Sequence, residues 1–307
     1  MRIAFFGTPE PAARVLDALV QARYGVCGVV TQPDKPAGRH QRLTPPPVKC
    51  RALAADLPVL QPATVRTPEV LAQLKEWMPD VAVVVAYGKI IPPAMLAAGF
   101  PFVNLHFSLL PAYRGAAPVQ RALLDGVQET GVTVQYLAEE LDAGDIIAQA
   151  PVRVQDDDTA ESLMDRCVTV GIPVLLEVLP EIVCGTAPRT PQNHAAATLA
   201  PKMTKEDAIV RWNVPARAVH NRVRACNPWP GACASLRGQA LKIWRTRVAD
   251  DVQPSGPPGT IIPARARFLV AAQPGTVELL ELQPPGKPRM TAAAYLAGHT
   301  LPPAFDP

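Results

Sequence analysis

Asn104 and His106 stand two residues apart at the end of an apolar run, "FPFVNLH", and a turn, "SLLP", follows at once. If the run is a strand, its alternating side chains put the amide and the imidazole on one face. Downstream, in "AEELDAGDI", Asp142 sits at a glycine-containing turn between two more strand-like segments. Brought together, these three groups suit acyl transfer. The Asn amide donates to an oxygen that becomes negative, and the His relays a proton or adds positive charge. The Asp fixes the imidazole tautomer and favours its charged form. An ordinary reading competes, because N-x-H at a strand end and D-x-G-D also describe hydrogen-bonded structural residues and a turn.

Nothing in the set is a strong nucleophile. Ser108 is near, but it lacks the G-x-S-x-G elbow that exposes a serine on a sharp turn. The attacking group is therefore expected to belong to a substrate. The five histidines, at 40, 106, 194, 220 and 299, show neither H-x-x-x-H nor H-E-x-x-H spacing, so no metal is expected. "GTPEPA" after the first strand is not G-x-G-x-x-G, which argues against a dinucleotide oxidoreductase.

The elements that must position these residues alternate. Strand-like "RIAFF", "VCGVVT", "LPVLQP", "DVAVVVAYG" and "FPFVNLH" are separated by helical spacing at 10–21, about 68–77 and 117–126. "GVTVQYL" and "IIAQAPVRV" follow, then a helix from about Thr159 to Leu179, with Asp157 or Asp158 placed to cap it. Apolar strands alternating with helices predict a doubly wound, mostly parallel α/β sheet, which binds ligands at the carboxyl ends of its strands. The stretch "QPDKPAGRHQRLTPPPVK" is too rich in Pro, Gly and basic residues for regular structure. Beyond a polar, proline-bearing linker, a helix near 214–225 and five short strands between 232 and 282 predict a small OB-like β-barrel.

Charge divides the same way. Residues 1–206 hold 18 Lys and Arg against 21 Asp and Glu, whereas 207–307 hold 12 against 6. Between Ala208 and Ala249 eight basic residues stand with no acid, a pointer to a polyanionic partner or to a solvated basic face. The six cysteines form no CxxC pair, as in a cytoplasmic protein with reduced thiols, and no signal peptide or membrane-length apolar run is read.

The stretch "NLHFSLLPAYRGAAPVQRALLDG…TGVTVQYLAEELDAGDI" resembles the signature of the 10-formyltetrahydrofolate-dependent formyltransferases. That resemblance implies a Rossmann-like formyltransferase domain and 10-formyltetrahydrofolate as co-substrate, with Asn104, His106 and Asp142 as catalytic residues. It also implies that the turn Ser108, Leu109, Leu110 and Pro111 cradles the folate, with the folate ring expected along Tyr87, Gly88 and Ile90. "TQPDKPAGRHQRLTPPPVK" is similar to the basic loop that members acting on initiator methionyl-tRNA insert after their second strand, and "RACNPWPGACASLRGQALKIWR" to their C-terminal OB-fold module. The implied RNA contacts are Lys35, Arg39, Arg42 and Lys49 in the loop, and Arg222, Arg224 and Arg245 in the barrel. An OB-like surface with Trp229 or Trp244 could add base stacking, though core packing is the competing role for both. Arg114 is expected either to touch substrate or to brace the loop beside Gly115.

The expected organisation is a catalytic domain at 1–189 carrying the basic loop 32–49, a linker at 190–206, and an OB-fold-like tRNA-binding domain at 207–307. The chain is expected to work as a cytoplasmic monomer without a membrane or an obligate protein partner. The alternative acceptor is a UDP-amino sugar, because sugar-nucleotide formyltransferases share the "NPWPGA" pattern. A folate hydrolase and an RNA-binding protein with a decayed site are more distant alternatives.

Overall fold

A computed structural model describes residues 1–37, 42–252 and 256–306. Two compact units emerge: one built from 1–118, 129–153 and 164–200, the other from 119–128, 154–163 and 201–307.

In the first unit, strands β1 (Arg2–Gly7), β2 (Gly25–Val30), β5 (Val59–Leu60), β6 (Val81–Val85) and β7 (Phe102–His106) run parallel, and β8 (Glu129–Tyr136) and β9 (Ile146–Arg153) close the sheet antiparallel. The order is β5-β2-β1-β6-β7-β8-β9, a Rossmann-like arrangement. Helices α1 (Glu10–Gln21), α2 (Pro47–Ala54), α3 (Pro68–Trp77), α4 (Pro93–Leu96) and most of α6 (Ala160–Cys184) lie between and after these strands, whereas α5 (Pro118–Asp125) groups with the second unit.

One sheet face buries Ala4, Phe6, Val30, Ala82, Val84 and Phe102 with Val70 and Leu74 of α3 and Met95 of α4. On the opposite face Leu105 meets Gly171 of α6, where a Cβ would press on its methyls. Buried positions 163, 167, 168, 171, 175, 178, 179 and 182 recur at helical spacing on α6. That helix is long and apolar enough to cross a membrane, yet the recurrence gives it one packed face, as in a core helix.

Two local expectations need correcting. The α6 cap is Thr159: its hydroxyl accepts from the Ser162 amide, and the Ser162 hydroxyl accepts from the Thr159 amide. Asp158 instead takes the Gln155 amide and the Ser162 hydroxyl. The segment expected to be irregular forms a short antiparallel hairpin, β3 (Lys35–Ala37) with β4 (Arg42–Thr44), and then enters α2. Its prolines do not prevent pairing, because a two-stranded ribbon has only edges.

The second unit curls an antiparallel sheet in the order β10 (Cys233–Leu236), β11 (Gln239–Asp250), β14 (Thr276–Gln283), β13 (Phe268–Ala271), β12 (Ile261–Ile262), with β15 (Met290–Thr291) on β14. Register breaks along β11, at Ile243/Arg245, Arg245/Thr246 and Val248/Asp250, bend it into the OB-like half-barrel. Helices α7 (Ala216–Ala225) and α8 (Ala292–Gly298) pack on β14. Residues 303–306 bridge the sheet's ends: Ile261 donates to the Pro303 carbonyl, and the Asp306 carboxylate accepts from Ser235, Arg237 and Gly238.

Within this unit Arg121 grips Asp207 through two hydrogen bonds of 2.9 and 3.1 Å. Burial pushes the Asp207 carboxyl up, but bonds from Arg121 and Thr204 outweigh it and hold the group below its ordinary value of 3.8. A depressed folded value makes the stabilisation complete above about pH 4 and lost as pH falls through the folded value. Asp207→Asn is therefore expected to cost about 1–3 kcal/mol at pH 7 and progressively less below pH 4. Urea unfolding at both pH values checks this, and a constant difference would contradict it.

Candidate active site

The sequence-predicted amide, imidazole and carboxylate converge. On β7, Asn104 and His106 face the same way, opposite Gln135 and Thr133 of β8 in register. Both are buried, and Asp142, on the loop between β8 and β9, is half-buried with its carboxylate turned inward. Asn104 Nδ2 donates to Asp142 Oδ1 at 3.4 Å, and His106 Nδ1 lies 3.8 Å from Asp142 Oδ2. Two further donors complete the carboxylate's shell: Gln135 Nε2 to Oδ1 at 3.3 Å and the Gly115 amide to Oδ2 at 2.9 Å.

The imidazole is oriented by backbone. His106 Nε2 lies 2.9 Å from the Tyr113 carbonyl, which can only accept, so Nε2 carries a proton. Nδ1 is then the ring atom left to exchange a proton, and it faces Asp142 Oδ2. The backbone here is unusual. Tyr113 and Asp142 hold left-handed φ values of 60° and 50°, a strain of order 1–2 kcal/mol each that the surrounding contacts must hold. Gly115, at φ 127°, lies so close to the Ala200 carbonyl that a Cβ would clash.

The "SLLP" turn is pinned beneath the site. Ser108 Oγ donates to the Ala112 carbonyl at 2.6 Å, so its hydroxyl is committed to structure rather than poised as a nucleophile. Thr133 Oγ1 donates to the Ser108 carbonyl and accepts from the Leu110 amide and Gln149 Nε2, and Gln149 also donates to the Leu110 carbonyl. Leu110 is buried, while Leu109 and Pro111 are half-buried and accessible.

Among the residues expected along the folate ring, Tyr87 turns its side chain into the core. Its ring is 2% exposed and stands edge-on to Phe6 at 5.5 Å, so only its backbone can face a ligand. Burial pushes its phenol up to about 12, and the hydroxyl has no hydrogen-bond partner among the described residues. Gly88 turns with φ 78° beside Gln32, and Ile90 is exposed. Ile90 lines a cavity of about 230 Å³ with Thr64, Val65, Arg66 and Lys89.

The expected RNA contacts fare unevenly. Arg42 and Lys35 are exposed on the hairpin, with Lys35 bonded to Gln32. Arg39 lies outside the described residues. Lys49 corrects the picture of a free arm: it grips both oxygens of Asp34 at 2.8 and 2.9 Å, and Gln61 Nε2 adds a third bond at 2.7 Å. This ion pair clasps the base of the hairpin.

In the second unit Arg224 is a correction. It is 7% exposed, and its guanidinium is spent on Asn221 and the Gln155 carbonyl. Arg222 is half-buried on the Asp207 carbonyl. Arg245 is exposed but pairs with Glu281, as Arg247 does with Glu278, because β14 lies beside β11. The stretch without acids in sequence is therefore not without them in space. Trp244 is buried beneath Arg289, 3.5 Å over its ring, whereas Trp229 is 54% exposed.

Residues overlooked in the sequence hold Asp142, Gln135 through its carboxylate and Gln192 through its backbone carbonyl. Gln135 carried a signal, since Thr133 and Gln135 are polar at period two within the apolar "GVTVQYL". Gln192 carried none, lying in a stretch expected to be linker.

Residues 1–179 match the family described as "Formyl transferase", and residues 202–300 match "Formyl transferase, C-terminal domain". Methionyl-tRNA formyltransferase of Symbiobacterium thermophilum is 46% identical over 97% of this chain and 92% of its own. The protein of the same name from Methylococcus capsulatus is 44% identical over 98% of each. In fold, the chain resembles the N-formyltransferase from Helicobacter canadensis in complex with folinic acid and dTDP-3-aminofucose, with a TM-score of 0.65, 16% identity and coverage of 90% of this chain and 98% of that one.

Proposed function

The chain belongs to the formyl transferase family, and we propose that it moves the formyl group of 10-formyltetrahydrofolate onto the free α-amine of initiator methionyl-tRNA. The observation that carries the reaction is the meeting of Asn104, His106 and Asp142 while the Ser108 hydroxyl is committed to a carbonyl. The acceptor follows from relatives of that name at 46% and 44% identity over nearly the whole chain.

The uncharged α-amine attacks the formyl carbon, forming the new C–N bond and a tetrahedral carbon whose oxygen is negative. Asn104 donates to that oxygen, and His106 with a proton on Nδ1 adds positive charge beside it. The amine nitrogen gives up its proton as the bond to the folate nitrogen breaks, and that nitrogen takes a proton in leaving. His106 passes the proton, and the Asp142 carboxylate stands beside Nδ1 as its counter-charge. No covalent enzyme intermediate is needed, because the acceptor supplies the nucleophile. The folate lies against the Leu109–Pro111 turn and the backbone at Tyr87 and Gly88, with Ile90 at the edge of its groove.

In this reading residues 1–189 perform the transfer, 207–307 bind tRNA, and 190–206 join them. The chain acts in the cytoplasm as a monomer. Lys35, Arg39 and Arg42 reach RNA phosphates, and Lys49 serves them by clasping the hairpin through Asp34.

The direct test supplies 10-formyltetrahydrofolate with charged initiator tRNA, uncharged tRNA or a UDP-amino sugar. Formylation of the charged tRNA alone supports the reading, and transfer to the sugar alone overturns it. Arg42→Ala is expected to raise KM for tRNA several-fold with little change for folate, and to lower the salt dependence of tRNA binding by about one ion. A purely structural hairpin would lower Tm without favouring either substrate.

A further inference from the structure

Asp142 is held by its backbone as much as by its side chain, and the group that holds it comes from far along the chain. Gln192 is 6% exposed. Its Nε2 shares two hydrogens among three acceptors, the Asp142 carbonyl at 2.9 Å, the Gly144 carbonyl at 2.8 Å and Gln135 Oε1 at 3.2 Å. Its Oε1 accepts from Arg114 Nη2 at 2.7 Å and Nε at 3.1 Å. Arg114 is itself 3% exposed, with Nη1 on Glu140 at 3.3 Å. The chain segment is fixed at both ends: Thr190 exchanges amide and carbonyl with Ile146, and Thr198 and Ala200 bond to the Arg114 backbone.

We propose that Gln192, oriented by Arg114, is a positioning residue for the transfer, holding the Asp142 loop so that one carboxylate serves Asn104 and His106 together. The buried guanidinium withdraws electron density through Oε1, which makes Nε2 a stronger donor to the two loop carbonyls. Asp142 occupies a left-handed conformation that non-glycine residues hold only when the surroundings compel it. Gly144, two residues on, leaves no room for a Cβ against the Tyr136 carbonyl, so the loop cannot relax in that direction. Gln135 ties the two networks together, accepting from Gln192 and donating to Asp142 Oδ1. The side chain of Gln192 thus fixes both the backbone of Asp142 and one of the donors to its carboxylate.

The inference rests on the proposed formyl transfer, and its test separates the two. Gln192→Glu keeps the volume and gives Arg114 an ion-pair partner, so the fold has its buried charge satisfied. The variant has no Nε2 to donate and turns a carboxylate oxygen towards three acceptors. Expected is a kcat lowered about 10–100-fold, the scale of an ångström of misplacement. KM for folate and for tRNA should stay within about threefold. In an Asp142→Ala background the same change should cost nothing further, since Gln192 acts through Asp142.

A readout without turnover accompanies these. In 15N-labelled protein, the Gly115 amide proton, which donates to Asp142 Oδ2, should shift upfield in Gln192→Glu. A wild-type protein that transfers formyl, with Gln192→Glu matching it in kcat, overturns the inference and leaves the function standing. An unmoved Gly115 resonance overturns it regardless of any activity. A loss carried wholly by KM or additive with Asp142→Ala does so as well.

Discussion

Replacing Asn104 by Ala is expected to slow single-turnover formyl transfer by about 10²–10³, the loss typical of one oxyanion donor. The amide is well placed for the part. It sits near the carboxyl end of β7, buried, with its orientation set by a long 3.4 Å bond to Asp142. An NH2 group has two hydrogens, so donation to Asp142 through one leaves the other to point at a developing charge. His106→Ala should lose about 10²–10⁴, as for a general acid–base group. Because its Nε2 is tied to the Tyr113 carbonyl, the lost function is that of Nδ1, and added imidazole should restore part of the rate. In both variants the folate dissociation constant should change little, since neither side chain belongs to the "SLLP" turn or to the Tyr87–Ile90 backbone. Quenched-flow transfer and equilibrium folate binding separate the two effects. A variant that transfers at the wild-type rate removes that residue from the chemistry, and one that loses folate affinity instead makes it a ground-state contact.

Much of this was open to a reader of the sequence because it depended on local periodicity. The alternation on "FPFVNLH" put Asn104 and His106 on one face, and they are. The strand and helix run of the first unit, and the five short strands of the second, follow from apolar spacing and turn residues. What escaped depended on partners distant in sequence. The basic character of the second unit looked unopposed because Glu278 and Glu281 lie on β14, some thirty residues beyond the arginines they meet across the sheet. Arg224 looked like surface until α7 buried it against Asn221 and Gln155. Lys49 looked like a phosphate ligand until Asp34, fifteen residues earlier, proved to be its partner. Tyr87 was read for its backbone alone, and nothing in the local spacing said that its ring would pack in the core beside Phe6. The common cause is that composition counts charges and rings, whereas folding decides which are already satisfied.

The same distinction makes Asp142→Asn the most informative single change. Both carboxylate oxygens act only as acceptors here: Oδ1 takes Asn104 and Gln135, and Oδ2 takes the Gly115 amide and faces His106. Asparagine has one acceptor oxygen and one NH2. In either orientation it turns hydrogens towards donors, so the Gly115 amide or the Asn104–Gln135 pair loses its acceptor. A buried donor left unsatisfied costs about 1–3 kcal/mol, and Tm should fall accordingly. The rate should fall further than stability predicts, by about 10²–10⁴, because the negative charge that supports His106 is gone while the shape remains. If Asp142 only shaped the loop, the isosteric amide would keep most of the rate and Asp142→Ala would lose far more than Asp142→Asn. Single-turnover transfer by both variants decides between these, and equal, deep losses in the two assign the charge itself to the chemistry.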